Sequence, residues 1–205
     1  TMAVYNAIKY NHDYLGQGGN LFPLATTSIS SSVASVSFTS GIDSTFDSYL
    51  FIWNNIHPST NGEATFGFQV SVNGGTDYGI TTTSTMIQNY NNESGDSNDN
   101  ATSYYAGGDQ AQGTATQIFS SGGNGGENDE SVSGILRLFN PSDTTFVKHY
   151  IATTCNYQDS NYINHDRVQG YFNTTSAINA VRFLPGRVNA TTTLDSGKIQ
   201  MFGIK

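Results

Sequence analysis

The stretch NYQDSNYINHD, residues 156–166, is the part of the sequence best suited to binding chemistry. It sets Tyr157 and Tyr162 among short polar side chains, which are Asn156, Gln158, Asp159, Asn161 and Asn164. Carbohydrate sites commonly combine an exposed aromatic face with amide and carboxyl hydrogen-bonding groups. We therefore predict glycan contact by Tyr157 and Tyr162, with ordinary loop packing as the alternative. Tyr104 and Tyr105, in a second polar stretch, are further candidates.

Metal binding has weaker support in the sequence. Alternate positions of DSNDN, residues 96–100, match the first ligands of an EF-hand loop, but Ala101 stands where Gly is required and Gly107 where Glu is required. A looser calcium site remains an alternative to a solvated turn. The four histidines are dispersed and have none of the short spacings of metal ligands. We predict no metal site and no cofactor.

Catalytic signatures are also weak. Asp195, Ser196 and Gly197 form an Asp-Ser-Gly triplet of the kind found in serine-protease sites, but no G-x-S-x-G nucleophile elbow is present. The acidic residues are scattered, so no facing carboxylate pair of a glycosidase can be nominated. The sequence predicts that the protein is not an enzyme, with a polysaccharide-degrading enzyme as a lesser alternative.

The charge distribution excludes one class of partner. The formal net charge is −8, and no Lys or Arg occurs between Lys9 and Arg137. Such a surface repels phosphate backbones, so we expect no nucleic-acid binding. A solvated acidic face is the simplest explanation, and calcium or a basic partner the alternatives. No apolar run approaches the roughly 18 residues of a membrane span and no signal peptide opens the chain, so we expect cytoplasmic synthesis without membrane insertion.

Hydrophobic residues alternate with period two wherever they show a period, which predicts an all-β fold. In SYLFIWNNI, residues 48–56, three aromatic side chains share one face, and we expect Ile56 on the other. We count about nine such runs, and none alternates with a helical pattern, so an antiparallel β-sandwich follows. Long connections favour jelly-roll crossings. The only cysteine, Cys155, lies in an apolar run and is predicted to be a buried thiol.

The chain is predicted to be a single domain, residues 1–205, with two irregular parts. Residues 1–32 form an N-terminal extended segment. Residues 88–131 are rich in Gly, Asn and acidic residues, and they contain one short apolar patch at Ile118 and Phe119. Long loops of this kind are functional or mobile. We predict an exposed excursion with a short strand near Ile118, and its order and calcium binding are open.

Two stretches carry a resemblance. Residues 38–78, FTSGIDSTFDSYLFIWNNIHPSTNGEATFGFQVSVNGGTDY, contain a Gly-Ile-Asp-Ser-Thr run that enters an aromatic strand ending in Asn-Ile-His-Pro. Residues 177–205 close on a strand related to Gly-x-Ile-x-Leu-Tyr-Gly-Ile, with Met201 and Phe202 replacing Leu-Tyr. Together they resemble uncharacterised structural proteins of tailed bacteriophages, especially those of marine bacteria and cyanobacteria. The resemblance covers roughly a third of the chain.

The resemblance implies a virion structural protein with a β-sandwich fold, a homo-oligomeric and often trimeric state, and other virion proteins as partners. It supplies no catalytic residue. A tail fibre or appendage component that contributes to host attachment through a surface glycan is the first expectation. A capsid or tail decoration protein that stabilises the particle is the alternative. In either case the expected location is the surface of the phage particle, after synthesis in the host cytoplasm.

Overall fold

The computed structural model of the chain describes residues 21–59, 64–95, 100–186 and 192–205. These ranges contain thirteen β-strands and one 3-10 turn at Ala106–Gly108, without an α-helix. The strands are β1 (Leu21–Ile29), β2 (Val36–Phe38), β3 (Ser48–Pro58), β4 (Phe66–Ser71), β5 (Thr82–Asn92), β6 (Asn100–Tyr104), β7 (Ala111–Gly113), β8 (Gln117–Ile118), β9 (Val132–Phe139), β10 (Lys148–Gln158), β11 (Tyr162–Phe172), β12 (Ala180–Pro185) and β13 (Leu194–Ile204).

The strands form two antiparallel sheets that pack face to face, which confirms the predicted β-sandwich. The large sheet has the order β1-β13-β3-β9-β10-β11-β5-β6, with β7 also paired to β5, and the small sheet has the order β2-β12-β4-β8. Four adjacent strands of the large sheet, β1-β13-β3-β9, and the four strands of the small sheet make up the jelly-roll part of the sandwich. Among these eight strands, the chain passes to the other sheet at every step except the one from β4 to β8. This is the strand order of a jelly roll.

Two insertions widen the large sheet beyond the jelly roll. The first, β5 to β7, lies between β4 and β8, and the second, the hairpin β10–β11, lies between β9 and β12. Both join the β9 side of the large sheet. Short strands explain why thirteen are present where about nine were expected: β6, β7 and β8 have five residues or fewer. β1 was also missed, because Pro23 and a bulge interrupt its pattern at the sheet edge.

Aromatic side chains from both sheets fill the common core. On β3, Trp53 is fully buried and stacks on Phe119 with ring centroids 4.6 Å apart. Phe119 also stacks on Phe68 of β4 at 4.9 Å. Tyr49 and Phe51 face inward with Trp53, as expected. These large rings supply much of the apolar area that the sandwich removes from water.

One expectation for β3 is wrong. Ile56 was placed opposite the aromatic residues, but it is fully buried on the same side. The register with β9 shifts between Trp53 and Ile56, and Asn55 adopts a left-handed conformation with φ of 49°. A bulge of this kind inserts an extra residue, which returns the next side chain to the original face.

The excursion at residues 88–131 is present, but the prediction that it is exposed throughout needs correction. Its first residues continue β5, and β6, β7 and β8 also fall within it. The expected short strand near Ile118 is found as β8, which pairs with β4. Phe119 is fully buried. The segment therefore crosses the sandwich and contributes to the core, because the inner face of the widened sheet needs a cover. Residues 96–99 lie outside the described residues.

The N-terminal segment is partly described, and Cys155 differs from its prediction. Residues 1–20 lie outside the described part of the chain, and Leu21–Ile29 form edge strand β1. Cys155 was predicted to be buried and is exposed instead. Its neighbours Thr154 and Asn156 point inward, so alternation along β10 turns Cys155 outward. In the described residues, no helix has the length and apolar character needed to cross a membrane.

Phe119 connects the excursion to the core, and its removal is expected to be costly. We predict that Phe119→Ala lowers the free energy of unfolding by about 4 kcal/mol, since it leaves a cavity between two stacked rings. Urea denaturation followed by Trp53 fluorescence measures the change. The matched control is Phe146→Ala, because Phe146 is 70% exposed. A loss for Phe119→Ala as small as that of the control would contradict the role of Phe119 as an anchor.

Candidate functional site

The hairpin β10–β11 separates the two leading tyrosines. Gln158 pairs with Tyr162, and Tyr157 pairs with Ile163. Successive residues of a strand point to opposite faces, so Tyr162 lies on the inner face of the large sheet and Tyr157 on the outer face. The Tyr157 hydroxyl donates a hydrogen bond to Oδ1 of Asn161 over 3.1 Å. The two rings therefore cannot contact one ligand together.

Tyr104 and Tyr105 occupy a third position, at the edge strand β6. Tyr104 is 62% exposed, pairs with Ile87 on the outer face, and its hydroxyl donates to the carboxylate of Asp109. Tyr105 is half-buried and packs against the core, and its backbone N–H donates to the carbonyl of Met86. The four predicted tyrosines thus do not form a common site. Of the four, Tyr162 lines a recess that the described residues form.

That recess lies on the inner face of β5 and β11, beside the loop that follows β8, and we call it the inner recess. Its volume is about 300 Å³. Its walls are formed by Gln88, Tyr90, Ser121, Gly122, Gln158, Tyr162 and Asn164. Tyr90 and Tyr162 meet edge to face with ring centroids 5.8 Å apart. Amides and phenol rings without a lysine or arginine line the site, so it suits a polar, uncharged ligand.

Hydrogen bonds fix the floor of the inner recess. The Ser121 hydroxyl lies 2.9 Å from Oδ1 of Asp166, and since a carboxylate only accepts, Ser121 donates this bond. The Ser121 oxygen then accepts from Nδ2 of Asn164 over 2.9 Å. The amide of Asn164 is thereby oriented, with Oδ1 on the opposite side. Among the described residues, that buried Oδ1 has no hydrogen-bond partner.

Asp166 is the buried charge beneath this floor. It is fully buried and accepts a second bond from the Ser121 backbone N–H over 2.7 Å. Burial raises the pKa of Asp166 to about 6, although the two Ser121 bonds oppose the rise. The carboxylate is therefore largely ionised at neutral pH. A negative charge behind the recess disfavours anionic ligands.

The outer face of the large sheet is the second notable surface, and we call the part over β9, β10, β11, β5 and β6 the outer patch. The large apolar side chains exposed on it are Ile87, Tyr104, Ile135, Ile151 and Ile163. A groove of about 510 Å³ runs over β5, β10 and β11 beside Ile151 and Tyr171. These five strands contain one carboxylate, Asp166, which points inward. Polar and charged side chains separate the exposed apolar side chains across the strands, since Ile151 pairs with Arg137 and Gln169, and Ile87 pairs with Arg167.

The structure also brings His57 to Asp195, although the sequence analysis treated them separately. Nδ1 of His57 lies 2.7 Å from Oδ1 of Asp195, as in a hydrolase triad. However, Nε2 of His57 lies 3.0 Å from the carbonyl oxygen of Glu127, which only accepts hydrogen bonds. Nε2 therefore donates and cannot take a proton from a serine in this arrangement. The pair ties β3 and β13 to the loop before β9.

Burial lowers the pKa of His57, but the hydrogen bonds to Asp195 and to the Glu127 carbonyl outweigh burial, so the net shift is upward. The charge of Glu130 contributes in the same direction. His57 thus holds its proton more tightly in the folded protein than in the unfolded chain.

Metal ligands do not cluster in the part of the chain that the structure describes, where no three His, Cys, Asp or Glu side chains come together. The loop considered for calcium, residues 96–100, lies outside the described residues except for Asn100. The calcium alternative is therefore untested.

Sequence reasoning missed the β5 side of the inner recess. Gln88 and Tyr90 stand at the start of the segment that was interpreted as an exposed excursion, although alternation with buried Met86 places them on the inner face. That alternation was the available signal. Pairing of Tyr90 with Asn164 across β5 and β11 could not be read from the sequence.

Comparison with known proteins adds no relative. No protein-family model, no curated protein and no solved structure matches this chain.

The raised pKa of Asp166 predicts that the stability of the folded protein depends on pH. The folded state binds the Asp166 proton more tightly than the unfolded state, so this contribution is fully present below about pH 4 and is lost as the pH rises through about 6. We expect the difference in unfolding free energy between wild type and Asp166→Asn to shift by roughly 3 kcal/mol against the wild type between acid and neutral pH. Urea denaturation at each pH measures it. A pH-independent difference would contradict this assignment.

The hydrogen bond to Asp195 predicts that the pKa of His57 depends on that carboxylate. Stability from protonated His57 is fully present below its unfolded pKa and is lost as the pH rises through the higher folded pKa. Asp195→Asn is expected to lower the pKa of His57, as measured by an NMR titration of the ring protons. Asp159→Asn, at the exposed hairpin turn, is the control and should leave the His57 titration in place.

Proposed function

We propose that the protein is a structural component of a bacteriophage virion, a tail fibre or appendage protein that contributes to host attachment. The observation that carries the proposal is the jelly roll with one sheet face that no other described segment covers, the outer patch, and the isoleucines exposed on it. Jelly rolls recur in capsid and lectin domains, an analogy at the level of fold alone. The phage resemblance in residues 38–78 and 177–205 supports the same assignment.

The outer patch has the size and composition of an assembly surface. Five strands about 4.8 Å apart and up to 11 residues long cover about 800 Å². That is the area which each partner of a standard-size interface buries, about 800 Å². Four isoleucines provide its apolar part, and Arg137 and Arg167 supply positive charge.

Charge favours a head-to-tail contact between copies. If two outer patches met face to face, both copies would bring Arg137 and Arg167 into one interface, which is repulsive. The exposed acids of the excursion, Glu93, Glu127 and Asp129, offer a complementary surface on a neighbouring copy. Such a contact is heterologous, and it closes into a ring when the rotation allows. We propose a homotrimer assembled in this way, with other virion proteins as further partners.

A capsid or tail decoration protein is the second candidate. The same outer patch supports it, because a decoration protein also needs a large surface for docking, here onto the particle. The two candidates differ in whether the isolated chain assembles by itself and in whether it binds host cells.

The assembly proposal predicts the behaviour of a single outer-patch variant. Ile151 is 48% exposed, so Ile151→Asp should leave the fold intact and place a negative charge against the acidic neighbour. We expect light scattering to find a trimer for the wild type and a monomer for Ile151→Asp. Phe146→Asp, outside the outer patch, is the control and should remain a trimer. A variant that stays trimeric would show that the outer patch is not the interface.

Cys155 gives a second measurement of the same contact. As the only cysteine, exposed on β10, it should react slowly with a thiol reagent in the assembled wild type and quickly in Ile151→Asp.

Immunogold labelling of phage particles with antibodies against this chain tests the virion assignment. Particles without label would contradict it.

A further inference from the structure

The inner recess has features that the assembly surface does not explain. It is lined by three amides, two phenol rings and a serine, and it holds no cation that would attract an acidic group. It also contains a buried acceptor without a donor, since Oδ1 of Asn164 is unpartnered among the described residues. An unpaired buried oxygen costs free energy, so a donor supplied by a ligand recovers part of that cost.

We propose that the inner recess binds one uncharged sugar residue, and that this sugar is the part of the host glycan that the attachment function recognises. The proposal rests on the proposed function for its biological role, but the binding itself does not depend on it. Hydroxyl groups of a neutral sugar both donate and accept, which matches the side-chain amides of Gln88 and Gln158. The volume of about 300 Å³ is at the small end of ligand sites, so it suits one residue and not an extended chain.

The orientation of Asn164 determines which group of the sugar must meet it. Because Ser121 donates to Asp166, the Asn164 amide nitrogen faces Ser121, and the free Oδ1 requires a hydrogen donor. A sugar hydroxyl or an N-acetyl N–H satisfies this requirement, whereas a carboxylate does not. A uronic or sialic acid would also lie near the negative charge of Asp166. The site therefore selects neutral sugars.

Access to Oδ1 depends on Gln158. A methyl group added at Gly122 would lie 1.6 Å from Oε1 of Gln158 and 3.3 Å from Nδ2 of Asn164, so these groups enclose the floor. Gln158 is a long side chain and can move aside, whereas Ser121 is held by its bonds to Asp166 and Asn164 by its bond to Ser121. Because position 122 is a glycine, Oε1 of Gln158 can lie directly against its backbone. A side chain at position 122 would keep every polar group and yet occupy the floor of the inner recess.

The test uses the whole purified chain and a panel of simple sugars. The neutral members are mannose, galactose, glucose, N-acetylglucosamine and N-acetylgalactosamine, and the acidic members are glucuronic acid and N-acetylneuraminic acid. Saturation-transfer NMR detects binding and calorimetry measures Kd. We expect at least one neutral sugar to bind with Kd below about 10 mM. The acidic sugars should bind at least about tenfold more weakly.

Three variants locate the binding. Tyr162→Ala should raise Kd at least about tenfold, and Gly122→Ala should do so without removing any side chain that contacts the ligand. Tyr157→Ala is the matched control, because it removes the same side chain from the outer face of the same hairpin and should leave Kd within about twofold. Thermal unfolding checks that each variant is folded, and if Tyr162→Ala is not, Gly122→Ala alone decides.

Each outcome has a definite meaning. The proposal is overturned if no neutral sugar of the panel binds, if the acidic sugars bind as tightly, or if Tyr162→Ala and Gly122→Ala leave Kd unchanged. Capture of host cells by the purified chain separates this result from the proposed function. If Gly122→Ala still captures cells, the inner recess is not the site that recognises the host glycan, and the attachment function itself stands. Sugar binding without cell capture would retain the site and contradict attachment.

Discussion

The difference in width between the two sheets is the constraint on which the rest of the structure depends. The large sheet follows a path of eight strands, and the small sheet has four. A sheet buries one face against another layer, so the inner face of β10, β11 and β5 needs a cover that the small sheet cannot fully provide. The segment after β8 supplies that cover. Its anchor is Phe119, whose ring enters the core between Trp53 and Phe68.

The inward side chains of the β10–β11 hairpin differ in polarity between its two ends, according to what covers them. At the end that faces the small sheet, Tyr150 and Phe172 are buried and pack on Phe68. At the turn end, the inward side chains are polar, and they meet a loop of Ser, Gly and Asn. Loop backbone brings unpaired N–H and carbonyl groups, so the side chains beneath it must hydrogen-bond. The bonds from Ser121 to Asp166 and from Asn156 to the Gly122 carbonyl follow from that need.

Much of the fold was predictable, because period two and the absence of helical patterns depend on local sequence alone. The failures have physical causes that the pattern hides. A bulge at Asn55 turned Ile56 inward, and Phe119 belongs to the core although it follows a strand, β8, of only two residues. For the candidate site, Tyr162 was predicted but was grouped with Tyr157, because the turn that pairs Gln158 with Tyr162 was not recognised. His57 and Asp195 meet across 138 residues of sequence, which no local pattern reports.

The polar end of the hairpin is also where the structure departs furthest from what stability alone favours. A buried carboxylate with a raised pKa and a buried amide oxygen without a donor both cost free energy, and apolar side chains of similar size would avoid that cost. The same two strands use apolar side chains at their other end, so the fold does not require polar ones. Departures of this kind are expected at functional sites, where binding recovers what folding gives up. The outer patch shows the complementary departure, since it leaves isoleucines in water that an assembled neighbour would cover. The two faces of one sheet thus carry two different unmet requirements, a hydrogen donor on the inner face and an apolar cover on the outer face, and different partners can meet both at once.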